Sequence, residues 1–265
     1  MRDTFDRDID YLRISVTDRC NLRCSYCMPA EGVKLLAHKE ILPFERIAET
    51  ARTAAGMGFW KIRLTGGEPL VRRGLPDLVS LLSEIPGIET LAMTTNGILL
   101  APVAADLRKR GLDSVNISLD TLDAGRYAEL TRGGRLADAL AGIEAARAAG
   151  FPVKINTVVF EDTRPEEIAE IGRFCADIGA RHQLIRRYTL SGEKADEYEY
   201  DRPPRCGECN RIRLLANGML KPCLHSNLEI PVDFTDIAAS IRECVMAKPG
   251  RGAVCTNLTV GQIGG

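Results

Sequence analysis

Short runs of β-branched and apolar residues alternate with stretches of helical periodicity, and this alternation constrains the chain more than any other feature in it. Strands are predicted at 11–16 (YLRISV), 60–65 (WKIRLT), 89–94 (ETLAMT), 113–118 (DSVNIS), 152–159 (PVKINTVV) and 182–187 (HQLIRR). Helical patterns lie between them at 44–56, 74–85, 101–110, 136–149 and 164–178. Strands separated by helices in this way form βαβ units and a parallel sheet. Six such units are too few for a closed eight-stranded barrel. An open, partial barrel and a doubly wound sheet both satisfy the pattern.

The faces of the strands narrow what such a sheet encloses. Parallel strands covered on both sides normally read as continuous apolar runs. Here Leu12, Ile14 and Val16 share one face while Arg13 and Ser15 share the other. Ile62 and Leu64 oppose Lys61, Arg63 and Thr65; Val115 and Ile117 oppose Asn116 and Ser118; Val153 and Ile155 oppose Lys154 and Asn156. The period of two assigns the apolar set to a helix layer and the polar set to the opposite face. Cations turned inward are costly unless water or an anion meets them. A barrel lumen holding a multiply charged anion satisfies them; a solvated sheet face is the plainer alternative.

With 265 residues, 45% of them hydrophobic, the chain can bury one sizeable core and a small appended module. A net charge of −1 gives no excess of positive charge for nucleic acid or an anionic membrane surface. No apolar run approaches the ~20 residues a membrane span needs. The opening MRDTFDRDIDYLR is too charged for a secretory signal, so a cytoplasmic location is expected. In that reducing compartment the nine cysteines point to metal or redox chemistry rather than disulfides. The expected organisation is a βα-repeat unit at 1–188, a polar linker at 189–205 and a module at 206–265. That module reads as a hairpin turning at Asn217-Gly218, a helix near 235–247 and a Gly-rich tail.

Directly after the first strand, TDRCNLRCSYCMP places Cys20, Cys24 and Cys27 within eight residues. Softness alone does not separate iron–sulfur clusters from zinc, but a structural zinc site wants four ligands. The Cys-x3-Cys-x2-Cys spacing, with Tyr26 before the third cysteine, resembles the signature of the radical S-adenosylmethionine (SAM) enzymes. That resemblance implies a [4Fe–4S] cluster whose fourth iron binds the amino and carboxylate groups of SAM. It also implies reductive cleavage of the sulfonium to a 5′-deoxyadenosyl radical. TGGEP at 65–69 falls at the carboxyl end of the second strand, where parallel α/β sheets bind ligands. Gly66, Gly67 and Glu68 resemble the SAM amino-group contact, and Ser118 stands at the position of a further contact.

Cys206-x2-Cys209, followed by thirteen residues and Cys223, sets a second trio of thiols across the predicted hairpin. Cys223 lacks the partner that a four-cysteine zinc ribbon would supply. Arg211 and Arg213 share one face of that hairpin. In order, DYLRISVTDRCNLRCSYCMP, KIRLTGGEPLVRR, TTNGILL, VNISLD, KIN, the second cysteine group and the closing QIGG resemble the GTP 3′,8-cyclase family, which opens molybdenum cofactor biosynthesis. This implies an α/β fold, an incomplete (β/α)6 TIM-type barrel with a small C-terminal auxiliary-cluster module. It implies a second [4Fe–4S] cluster on Cys206, Cys209 and Cys223. Arg13, Lys61, Arg63, Thr94, Lys154, Arg186, Arg211 and Arg213 would contact GTP, although alternation cannot separate Arg186 from Arg187. An electron donor such as flavodoxin or ferredoxin and a downstream pterin synthase follow as expected partners; a homodimer is left open.

The chain departs from the family in its shortened stretch between Arg187 and Cys206, where Leu190 and Ser191 stand at the place of a hydrophobe near SAM. Gly261-Gln262-Ile263 stand directly before the final Gly264-Gly265, with no adjacent arginine. Cys175 and Cys244 fall on apolar helical faces and read as packing residues, and His38 and His182 as ordinary hydrogen-bonding residues. Cys255 reads as an idle thiol or, with His225 as the lesser candidate, as a cap on the second cluster. A radical SAM peptide or protein maturase with an auxiliary cluster is the rival function. A zinc-binding adaptor without catalysis is the third reading.

Overall fold

A computed structural model describes residues 1–192, 200 and 205–264. Most of the expected linker, 189–205, and the terminal Gly265 lie outside the described residues. The chain runs β1 (Tyr11–Ser15), α1 (Phe44–Gly56), β2 (Lys61–Thr65), α2 (Leu75–Ser83), β3 (Thr90–Thr95), α3 (Ala104–Lys109) and β4 (Ser114–Ser118). It continues with α4 (Ala124–Thr131), α5 (Leu136–Ala148), β5 (Val153–Val159), α6 (Pro165–Asp177) and β6 (Arg181–Arg186). Every expected strand and helix of this part is present, shifted by a residue or a few at its ends. Helix α4 is an addition that the hydrophobic pattern does not predict. It is short and starts where the Asp123 side chain accepts from the backbone N–H of Arg126.

The sheet runs β6-β5-β4-β3-β2-β1 and then continues into the C-terminal strands β7 (Arg211–Leu214), β8 (Met219–Lys221) and β9 (Ile230–Pro231). All neighbours from β6 to β7 are parallel, and β8 and β9 add antiparallel. This sequential order has no point where the strand order reverses, which a doubly wound sheet requires. The partial-barrel alternative is the one realised. Strand β7 pairs with β1 in register, Tyr11 with Arg211 and Arg13 with Arg213, so the expected hairpin extends the same sheet.

Alternation along the strands sorts the side chains as expected. Leu12, Ile14, Ile62, Leu64, Met93, Val115, Ile117 and Ile155 are fully buried in one core with the helices. On α1, Ile47, Ala48, Ala51 and Ala54 recur at helical spacing and are the buried face. Cys175 on α6 and Cys244 on α7 (Ile237–Met246) are buried in this core, in the packing role expected of them. Cys255 is buried as well, but in a smaller cluster with Leu190, Leu215 and Ile263. The Gly-rich tail contains a short helix, α8 (Val260–Ile263).

Candidate active site

Two cavities of about 180 Å³ each lie along the polar face of the sheet. They share Thr94, Asn156, Ile185 and Tyr188 as common wall, so they are two ends of one lumen.

The first cavity sits at the carboxyl ends of the strands. Cys20, Cys24 and Cys27 line it together with Tyr26, Gly66, Gly67, Glu68 and Ser118. The two glycines are there because the cysteine loop presses on them. A Cβ on Gly67 would stand 2.3 Å from the carbonyl oxygen of Arg19, and one on Gly66 2.5 Å from that of Thr17. The loop is held to this turn by Gly67 N–H donating to Thr17 O at 2.9 Å and Glu68 N–H to Arg19 O at 2.8 Å. Close approach of backbone to backbone requires Gly-Gly here, and the same two residues line the cavity.

Two buried acids face this cavity. Glu68 is 1% exposed and accepts from Thr95 Oγ1 at 2.8 Å, Asn96 N at 2.7 Å and Leu70 N at 3.0 Å. Burial pushes its carboxyl up to about 7 against those hydrogen bonds. Asp120 accepts from Tyr26 Oη at 2.7 Å and from Val158 N at 2.8 Å, and burial raises it to about 6. Burial likewise pushes the Cys20 thiol up to about 11. Three soft donors beside two buried acids fit a metal–sulfur cluster with a cationic organic cofactor. The tail forms another wall through Val260, Gly261 and Gly264. It is fixed by Arg13 Nη2 donating to Gly264 O at 3.1 Å.

The second cavity is cationic. Arg13 and Tyr11 of β1, Lys61 and Arg63 of β2, Lys154 of β5, and Arg211 and Arg213 of β7 all line it. Pairing brings them side by side, Arg13 lying between Arg63 and Arg213. Burial, with Arg213, Arg211 and Arg63 crowding in, pulls Arg13 down to about 9 against the opposing pull of Tyr11. Burial alone would raise the Tyr11 hydroxyl, but Arg13, Arg63 and Arg211 outweigh it and hold it near 7. The Nε atoms of Arg211 and Arg213 are buried without a hydrogen-bond partner among the described residues. Buried donors in that state call for an acceptor, and a polyanion supplies several.

Cys206, Cys209 and Cys223 line the far wall of the same cavity. Burial opposes ionisation of Cys209, yet Lys248 and Arg211 beside it bring its thiol down to about 6. A thiol poised as thiolate near neutral pH is a ready metal ligand. Among the described residues no set of three or more His, Cys, Asp or Glu side chains closes on one point as a single-ion site does.

The site residues named from sequence therefore divide between two chambers. Thr94 borders both, and Arg186 lies at the exposed rim of the first with Arg187 rather than among the cations of the second. Leu190 packs in the small second core, and Cys255 donates its thiol to Asn257 Oδ1 at 3.2 Å, away from both linings. His225 lines the second cavity. Sequence reasoning missed Asp120 in the first lining and Tyr11, Gln183, Arg7 and Lys248 in the second. Tyr11 and Gln183 were legible in principle from strand alternation; Arg7 and Lys248 lie in irregular segments with no periodicity to assign them.

The model of the radical SAM superfamily matches residues 14–175, and proteins named GTP 3′,8-cyclase match nearly the whole chain. The chain belongs to the GTP 3′,8-cyclase family of radical SAM enzymes. The relative from Pelotomaculum thermopropionicum is 41% identical over 307 positions, covering 95% of this chain and 94% of that protein. That from Moorella thermoacetica is 40% identical over 303 positions, covering 94% of each. Alignments longer than the 265 residues of this chain mean that it lacks positions its relatives have. Among solved structures, SuiB of Streptococcus suis bound to S-adenosylmethionine superposes with a TM-score of 0.68 at 18% identity over 87% of this chain. This chain spans 64% of that protein's length, and the likeness is one of fold. Superfamily membership implies a [4Fe–4S] cluster and SAM, and the first cavity has the donors for both.

Proposed function

We propose that this chain cyclises GTP to 3′,8-cyclo-7,8-dihydro-GTP, the first step of molybdenum cofactor biosynthesis. The cationic cavity opening onto the three-thiol cavity carries this reading. A triphosphate needs several fixed cations, and Arg13, Lys61, Arg63, Lys154, Arg211 and Arg213 lie around one space.

Cys20, Cys24 and Cys27 would hold the first cluster, leaving the fourth iron for SAM. Tyr26, Gly66, Gly67, Glu68 and Ser118 would border SAM itself. Cys206, Cys209 and Cys223 would hold a second cluster against which the guanine base rests. When bound, the first cluster and SAM supply a 5′-deoxyadenosyl radical able to take the ribose 3′ hydrogen. The chain's own task is placement. Arg211 and Arg213 anchor one end of the nucleotide and β1, β2 and β5 the rest, so that the 3′ carbon faces the shared wall at Thr94 and Asn156. The carbon radical then bonds to C8, and one electron and one proton complete the product, which has the composition of GTP. An external one-electron donor and a pterin synthase acting on the product complete the setting.

The test is anaerobic incubation of the reconstituted protein with GTP, SAM and a reductant. A new species with the mass of GTP but a different chromatographic retention, formed with 5′-deoxyadenosine, is expected. Release of 5′-deoxyadenosine with GTP untouched would sink the proposal and favour peptide modification. Zinc alone in the purified protein would favour the adaptor.

A further inference from the structure

The segment following α7, Lys248-Pro249-Gly250-Arg251-Gly252, takes no part in the chemistry above, yet it touches every thiol of the second trio. Lys248 is 3% exposed, and its Nζ donates to Cys209 Sγ at 3.3 Å, Arg211 O at 2.8 Å and Pro222 O at 3.0 Å. The backbone N–H of Gly252 donates to Cys206 Sγ at 3.4 Å. A Cβ on Gly252 would lie 3.1 Å from Cys223 Sγ and 2.9 Å from the Cβ of His225, so only glycine fits against that thiol.

Arg7 fixes the segment from the opposite side. It donates to Pro249 O at 2.8 Å, to Gly250 O at 3.4 Å and to Cys206 O at 2.7 Å. Arg7 is itself held by a buried ion pair with Asp3 at 2.6 Å. The N-terminal residues thus tie down the strap that crosses the cysteine hairpin.

We propose that residues 248–252 are the outer coordination sphere of the second cluster, with Lys248 as a positioning residue that orients Cys209 and makes the cluster easier to reduce. This rests on the second cluster named above. A buried ammonium with two carbonyls and a sulfur is poorly compensated unless that sulfur bears charge. An anionic cluster supplies the charge. Adding an electron deepens it, and a cation donating to a ligating sulfur stabilises the reduced form more than the oxidised one.

The experiment is a potentiometric titration of both clusters, followed by electron paramagnetic resonance, in reconstituted wild type, Lys248→Gln and Lys248→Arg. The Gln side chain keeps a donor for the carbonyls and loses the charge. In Lys248→Gln the reduced-to-oxidised ratio of the second cluster at a fixed potential should fall about tenfold, ~59 mV for one electron. The first cluster should be unmoved, and Lys248→Arg should restore the wild-type value. An unchanged second cluster in Lys248→Gln, or an equal shift in both clusters, overturns the proposal. Should Lys248→Gln fail to take up its second four irons, wild type decides. Resonance Raman bands of the second cluster must shift in D2O if N–H groups donate to its sulfurs, and bands that stay put overturn the proposal. About four irons per wild-type chain instead of about eight would remove the second cluster itself, before any variant is made.

Discussion

The two cysteine trios are alike in number and opposite in surroundings. The first lies on the loop after β1, beside the buried carboxyls of Glu68 and Asp120, where burial drives the Cys20 thiol up to about 11. The second lies on a hairpin added to the other edge of β1, beside Lys248 and Arg211, which bring Cys209 down to about 6 in spite of its burial. One chamber suits a cationic ligand such as a sulfonium, the other a polyanion. Net charge around an iron–sulfur centre also sets its potential. A site walled by acids favours the strongly reducing cluster that sulfonium cleavage needs. A site walled by cations favours an easily reduced cluster that binds rather than donates. Strand β1 holds the two at fixed separation, with Arg13 of the second chamber bonded to the tail at Gly264, which lines the first.

The largest effects should come from breaking either trio. Cys24→Ala should abolish 5′-deoxyadenosine formation, and Cys206→Ala should leave it while abolishing the cyclised nucleotide. Each variant should lose about four irons. Turnover of GTP by Cys206→Ala at the wild-type rate would break the division of labour. Next in size are the cations of the second chamber. A hydrogen bond to a charged group contributes about 1.5–3 kcal/mol, so Arg13→Gln and Arg213→Gln should each weaken GTP binding about 10–100-fold by calorimetry. SAM binding should be untouched. An equal loss of both ligands would make these arginines supports for the barrel instead.

Within the cationic chamber the strand-borne side is more legible in sequence than the side formed by the hairpin and the segment after α7, and the reason is periodicity. Arg13, Lys61, Arg63 and Lys154 sit on strands where a period of two fixes the face, so their convergence follows from the order of residues alone. Helix α4 escapes the pattern because its eight residues carry too little periodicity between two turns. Gly66 and Gly67 read as ligand contacts and do line the first cavity, but a Cβ on either would also meet the carbonyls of Thr17 and Arg19, a contact between distant loops that no local pattern encodes. Lys248 and Arg7 are invisible for the same reason. Their roles come from hydrogen bonds to residues 26 or more positions away along the chain. Sequence leaves Cys255 between idle thiol and cluster cap, and its place beside Leu190 and Ile263 favours packing.

That loop contact gives the third prediction. A Cβ at position 67 cannot coexist with the Arg19 carbonyl at 2.3 Å. Gly67→Ala should destabilise the metal-free protein by about 1–3 kcal/mol, measured by chemical denaturation. It should also cost the first cluster while sparing the second. Retention of all the iron would mean that the cysteine loop yields without harm.

The smallest effect is a contrast in pH dependence between the chambers, visible in the reduced, metal-free protein. Burial raises the folded Glu68 carboxyl from 4.5 to about 7, so the folded state keeps this proton when the unfolded state has released it. Stability from this group is therefore greatest below pH 4.5, declines as pH rises toward 7 and levels off above, a loss of roughly 3 kcal/mol. Asp120, raised from 3.8 to about 6, adds a decline in the lower part of that window. Cys209 runs the other way. Its folded thiol is lowered from 9.0 to about 6, so its contribution is full above pH 9 and is lost as pH falls through 6. Glu68→Gln should shrink the acid decline to the share of Asp120 and spare the alkaline rise, while Cys209→Ala should shrink the alkaline rise to the share of Tyr11 and spare the acid decline, both read from denaturation midpoints between about pH 4 and 10. Slopes of the same sign at both sites would mean that the chambers do not differ in charge, and the assignment of cationic cofactor to one and polyanion to the other would fall with them.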